Sequence, residues 1–172
     1  MRRDPDSGIR MNCFIALNID GVLAFHVSSM NGDREVFECF MKDYVLPHME
    51  VLGEKNSIAF LDNARIHEST LVVNSISAKG ANVLWNTAYC FWHAPVEQSI
   101  HQIKNYLRQN EALYRRSPEA KKRQLIIKAM SSVTSHTMRT RTSNTQAMRR
   151  KQSCFLLNIY LFMKNEKDTT TG

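Results

Sequence analysis

Ser57-Ile58-Ala59-Phe60-Leu61-Asp62 is a short, almost wholly apolar run that ends on a single carboxylate. An uninterrupted run of this length is the pattern of a strand buried on both faces, as the central strands of parallel sheets are. A loop, Gly53 to Asn56, leads into it. Beyond it, Glu68 to Ser77 has helical spacing, with Leu71, Val72 and Ile76 expected inward and Gly80 as the C-cap. Asn82-Val83-Leu84-Trp85 then reads as another short strand. In open α/β sheets ligands bind at the carboxyl ends of the strands, and Asp62 stands at such an end.

Working outward, Asn12 to Asn18 and Val22 to Val27 are two strand patterns separated by the turn signal Asp20-Gly21. They predict an antiparallel hairpin. Asn31-Gly32-Asp33 interrupts the pattern and offers a helix N-cap. Val36, Phe37, Phe40, Met41, Tyr44 and Val45 then recur on one helical face, which predicts a helix over 33–46 that ends near Pro47. On the other side, Thr87 to His93 reads as an aromatic-rich loop. Pro95 suits the first turn of a helix whose apolar face is Val96, Ile100, Ile103 and Leu107. Ser117-Pro118-Glu119 predicts a last helix start, with Ser117 as cap and Leu125, Ile126, Ala129, Met130 and Val133 along the helix. From about Thr137 the chain turns Thr-, Ser- and Arg-rich, and 138–153 reads as a linker or disordered segment. The apolar stretch Cys154 to Met163 has no evident place. A hairpin followed by alternating helices and strands implies an α/β fold, a mixed sheet with helices on its faces.

The 172 residues suffice for one domain plus a tail. The hydrophobic fraction of 43% excludes a wholly disordered chain. The four cysteines lie far apart with no CxxC, which argues against a zinc ribbon, a redox dithiol or a disulfide scaffold, and the six histidines show no HxxxH spacing. A reduced, intracellular setting follows, with no secretory signal at the start. No membrane span is expected, because the longest late apolar run is far short of the ~20 residues a bilayer needs. Charge is unevenly placed. Residues 1–100 carry 8 Lys/Arg against 12 Asp/Glu, and residues 101–172 carry 15 against 4. A basic half beside an acidic half suits a polyanion held near carboxylates. It equally suits a solvated basic tail.

Glu97 falls in the first turn of the helix after Pro95, with 34 residues between it and Asp62. Two ionised carboxylates ~4 Å apart repel by roughly 4 kcal/mol at an effective dielectric near 20. A hard divalent cation relieves this. Two such ions ~3.5–4 Å apart activate a water and stabilise a leaving oxygen in phosphodiester cleavage. A surface acid and a helix N-terminal acid would give the same letters.

The segment Phe60-Leu61-Asp62-Asn63-Ala64-Arg65-Ile66-His67 resembles the aspartate motif of DDE superfamily endonucleases, the catalytic domain of Tc/mariner-type transposases, which reads Asp-Asn-Ala-x-x-His. Tyr89 to Glu97 resembles that family's Tyr-Ser-Pro-Asp-x-Asn-Pro-x-Glu loop in Tyr89, Pro95, Val96 and Glu97, with the Tyr-to-Glu spacing kept, and the 34-residue interval is that of one of its large branches. Ile103 to Arg108 resembles its basic helix. The likeness spans about residues 10 to 135. Cys90-Phe91-Trp92 replaces the family's Ser-Pro-Asp, and Ala94 replaces its Asn.

The resemblance implies a ribonuclease H-like mixed sheet flanked by helices. It implies three carboxylates holding two Mg²⁺ or Mn²⁺ ions, and DNA cleavage and strand transfer. By position Asp62 is the second acid and Glu97 the third, with Asn63 and His67 supporting the motif. The first strand and its Asp, and the helix-turn-helix domain, are expected to be missing, so cleavage is expected to be impaired. The domain is drawn at 12–137, after a polar leader 1–11 and before a basic, flexible tail 138–172. Lys104, Arg108, Arg115 and Arg116 are the expected DNA-phosphate contacts. Lys121-Lys122-Arg123 and Arg149-Arg150-Lys151 are short basic runs, either phosphate-contacting, nuclear-localisation-like or merely solvated. Trp85, Tyr89, Phe91 and Trp92 either stack on bases or cover the sheet edge. A nuclear location follows in a eukaryote and a cytoplasmic one otherwise, and the relatives suggest a homodimer. The rival readings are a non-catalytic nucleic-acid-binding or interaction module derived from a transposase, and an unrelated ribonuclease H-like nuclease that prefers RNA–DNA hybrids.

Overall fold

The computed structural model describes residues 11–18, 20–85, 96–133 and 154–159, with the side chains of 96–98 and 154–159 outside the description. The elements in chain order are β1 (Asn12–Asn18), β2 (Gly21–Ser28), α1 (Arg34–Phe40), β3 (Ile58–Leu61), α2 (Thr70–Ala78), β4 (Asn82–Trp85), α3 (Val96–Gln109), α4 (Glu111–Arg116), α5 (Glu119–Ser131) and β5 (Cys154–Ile159). The expected loop 87–93, Pro95 and the stretch 138–153 lie outside the described residues.

The five strands form one mixed sheet in the order β2-β1-β5-β3-β4. β1 is antiparallel to β2 and to β5, and β3 is parallel to both β5 and β4. The hairpin turns where the sequence places it. Gly21 there has φ 126°, a conformation that favours glycine because it lacks a Cβ. β1 is buried along its whole length, so its alternate residues feed two cores. Cys13, Ile15 and Leu17 meet Ile100, Ile103 and Leu107 of α3, together with Tyr114 and the α5 residues Leu125, Ile126, Ala129 and Met130. Phe14 and Ala16 meet Phe37, Phe40, Met41 and Val45 on one flank and Val72 and Ile76 of α2 on the other. Helices therefore cover both faces of the sheet. No helix among the described residues is long and apolar enough to cross a membrane.

Several expectations fail for definable reasons. Residues 33–46 are not one regular helix: after Phe40 the chain takes a π-helical stretch, Met41–Val45, and then a 3-10 turn, Leu46–His48. The wider π turn rotates the apolar face, so Tyr44 is 46% exposed and its ring lies against Phe40 and His26. In α2 Leu71 is 55% exposed. At ~100° per residue it stands a quarter-turn round from Val72, away from the sheet. Ser117 does not cap the last helix. Its N–H donates to Tyr114 O and its hydroxyl to Leu113 O, closing the unforeseen α4, and Pro118 takes the N-cap of α5.

The largest difference concerns the segment that the sequence leaves unplaced. Residues 154–159 form β5, between β1 and β3 in the middle of the sheet. The folded unit thus takes a strand from beyond the boundary drawn at 137.

Candidate active site

Asp62 follows the last residue of β3, where the chain leaves the sheet through a tight turn. The Ala64 N–H donates to Asp62 Oδ1 at 3.0 Å, an Asx-type turn. His67 N–H donates to Ala64 O at 2.8 Å, and Ser69 N–H to His67 O at 2.7 Å. Arg34 reaches across from α1 to the Arg65 carbonyl at 3.0 Å. Ser69 then accepts from Val72 N–H as the cap of α2, while its hydroxyl donates to Glu38 Oε1. The loop is therefore pinned at both ends and from the side.

His67 is fully buried, with its ring 4.8 Å from that of Phe37. Its Nδ1 lies 2.5 Å from Asp62 Oδ1, while its Nε2 is buried without a hydrogen-bond partner. Partial burial pushes the Asp62 carboxyl upward. The hydrogen bond and charge of His67, and the Ala64 N–H, outweigh it and hold the carboxyl below its ordinary range. Both donors address Oδ1. No hydrogen bond among the described residues reaches Oδ2, and the side chain is 33% exposed. The result is an ionised carboxylate with one oxygen locked and the other free of hydrogen bonds from the described residues.

Glu97 is the second residue of α3, and its side chain lies outside the described residues, as do Tyr89 to Pro95. The separation of the two carboxylates lies outside them too. Asn63 is exposed beside Asp62. Asp20 does not belong to this edge. It sits in the hairpin turn, ion-paired with Lys55, near Asn18 and Asn56 at the opposite end of β3. Among the described residues no group of three His, Cys, Asp or Glu stands ready to hold a metal ion.

The basic residues are not equivalent. Lys104 is half-buried on α3, and exposed Arg108 is 3.5 Å from Asn105 Oδ1. Arg115 is clamped to Glu111 by its Nε at 2.7 Å and by Nη2, whereas Arg116 is exposed. Arg123 pairs with Glu119 at 3.4 Å. Lys122, read in sequence as part of an exposed run, is 1% exposed, with its ammonium 5.9 Å from the centre of the Tyr114 ring. A stem buried along apolar surface with the charge over an aromatic face explains this, and a basic triplet gives no sign of it. Trp85 is 39% exposed at the end of β4. Burial pushes the Cys13 thiol up to about 12, so it stays an inert packing group.

With this geometry in view, residues 2–121 match the family described as DDE superfamily endonuclease. No curated protein and no solved structure matches the chain.

Proposed function

The chain belongs to the DDE superfamily endonucleases, and on that premise we propose that it is a transposase-derived nuclease domain of Tc/mariner type, acting on DNA with Mg²⁺ or Mn²⁺. Three parallel strands, β5, β3 and β4, beside an antiparallel hairpin, with helices on both faces, support a ribonuclease H-like reading. The observation that carries the proposal is Asp62. It follows the last residue of a sheet strand, it is anionic, and its Oδ1 is fixed by His67 and Ala64 while no hydrogen bond among the described residues reaches Oδ2.

Such a donor suits a hard divalent cation, which binds oxygen ligands and takes carboxylates first. Asp62 and Glu97 would hold it. When bound, it would supply Lewis acidity toward a phosphodiester. The chain's own part is to orient. His67 and the Ala64 N–H stop the Asp62 carboxylate from rotating, so that one oxygen always faces the site. Arg108 and Arg116, exposed on α3 and α4, would take backbone phosphates, with Lys104 beside them. In a eukaryote the site of action would be the nucleus.

The test is nicking of supercoiled plasmid in Mg²⁺ and in Mn²⁺, run beside Mn²⁺ titration. We expect slow nicking, and loss of both nicking and Mn²⁺ binding in Asp62→Asn and in Glu97→Gln. Nicking that survives both substitutions would overturn the assignment. Duplex binding with no response to metal would favour the non-catalytic nucleic-acid module.

A further inference from the structure

β5 places a third oxygen-bearing residue at the edge where Asp62 stands. In the parallel pair Ile58 is opposite Cys154, Ala59 opposite Phe155 and Phe60 opposite Leu156. Continued two residues beyond the last pair, to where Asp62 follows the end of β3, this register brings Asn158 level with Asp62. The antiparallel pairing on the other side agrees, since Asn158 is opposite Ile15 and Leu156 opposite Leu17. Ile15 and Phe60 belong to the face covered by α3, the helix that carries Glu97, and strand alternation puts position 158 on that same face.

Neighbouring strands lie ~4.8 Å apart, so level residues on β3 and β5 are within reach of one ion with oxygen distances of ~2.0–2.6 Å. We propose that Asn158 is the third donor position of the Asp62 site, an amide where a carboxylate would complete the charge. This rests on the metal reading of Asp62 and Glu97 given above. An amide oxygen is a hard ligand but brings no charge, so the site holds a divalent cation more weakly than three acids would. On this assignment cleavage should be slow although the fold is intact. The same assignment makes position 158 the place where activity can be raised.

The experiment uses the full chain and Mn²⁺ as the probe, with bound and free ion separated by electron paramagnetic resonance. We expect Asn158→Asp to tighten Mn²⁺ by at least ~10-fold, because a full charge is added beside Asp62. We expect Asn158→Ala to weaken it, and Asp62→Asn to cancel the gain in the double variant. A gain that persists in the Asp62→Asn background, or no gain at all, overturns the proposal. If Asp62→Asn and Glu97→Gln abolish binding while position 158 has no effect, only this inference falls. If those two leave binding intact, or if neither the wild-type chain nor Asn158→Asp binds Mn²⁺, the metal reading falls with it. A charge-free measurement covers the case in which Asn158→Asp does not fold. Under mild oxidation Asp62→Cys/Asn158→Cys should crosslink, since level positions lie within the ~4.4–6.8 Å Cα range of a disulfide. Asp62→Cys alone should not crosslink to the native Cys154, four residues away along β5. A folded double variant that fails to crosslink, or one that joins Cys154 instead, overturns the register.

Discussion

His67 illustrates how a polar residue becomes structural by serving another. Its ring is packed against Phe37 and wholly buried, and it spends its Nδ1–H on Asp62. Removing it takes away an aromatic side chain and a hydrogen bond to a charged group at once. His67→Ala should therefore destabilise the protein by about 2–4 kcal/mol, the range for emptying a buried ring site and losing a charge-assisted bond. Urea denaturation at neutral pH checks this, and a change under about 1 kcal/mol would mean that the pocket collapses freely or that the ring is not buried. Asp62 and His67 were readable in the sequence because their geometry is local: four intervening residues of turn bring one to the other. Lys122 was not, because the ring under its ammonium, Tyr114, belongs to a different helix.

At the level of elements, most helices and strands were legible where a cap or turn residue and an apolar period agreed. Asp33 caps α1 through Val36 N–H at 3.0 Å, Gly80 with φ 75° closes α2, and the hairpin turns at Gly21. The failures arose where tertiary packing chose between local options. The π stretch 41–45 turned Tyr44 outward, and Ser117 ended one helix rather than starting the next. β5 was illegible for a stronger reason: its partners, β1 and β3, lie roughly a hundred residues and more away in sequence, and nothing local names them. Ser69 joins two elements, since it caps α2 and also donates to Glu38 of α1. Ser69→Ala should cost about 1–2 kcal/mol, a lost N-cap plus a lost hydrogen bond to a carboxylate. Thermal unfolding should show a lowered midpoint, and Ser69→Thr should restore most of it. An unchanged midpoint in Ser69→Ala would contradict the cap.

For the whole molecule, the basic excess after residue 100 predicts duplex binding that is electrostatic and nearly blind to sequence. If about six phosphates are neutralised, log affinity should fall against log salt with a slope near −5. Phosphate contacts position but do not specify, so two unrelated duplexes should bind alike. Arg116→Ala should reduce the slope by about one, and Arg115→Ala by less, because Glu111 already holds that guanidinium. A salt-independent affinity, or equal effects of the two substitutions, would refute this account. The place of β5 in the sheet has a further consequence, which concerns synthesis. It is the last described element to leave the ribosome, yet it belongs at the centre. Until it arrives, β1 and β3 each present an unpaired edge to whatever is near. The nascent chain therefore cannot complete its sheet in the order in which it is made, and closure waits on contacts of long sequence separation, which form slowly. During that wait the half-built sheet is a substrate for chaperones and proteases, so the amount of protein a cell accumulates depends on how fast one six-residue strand finds its slot.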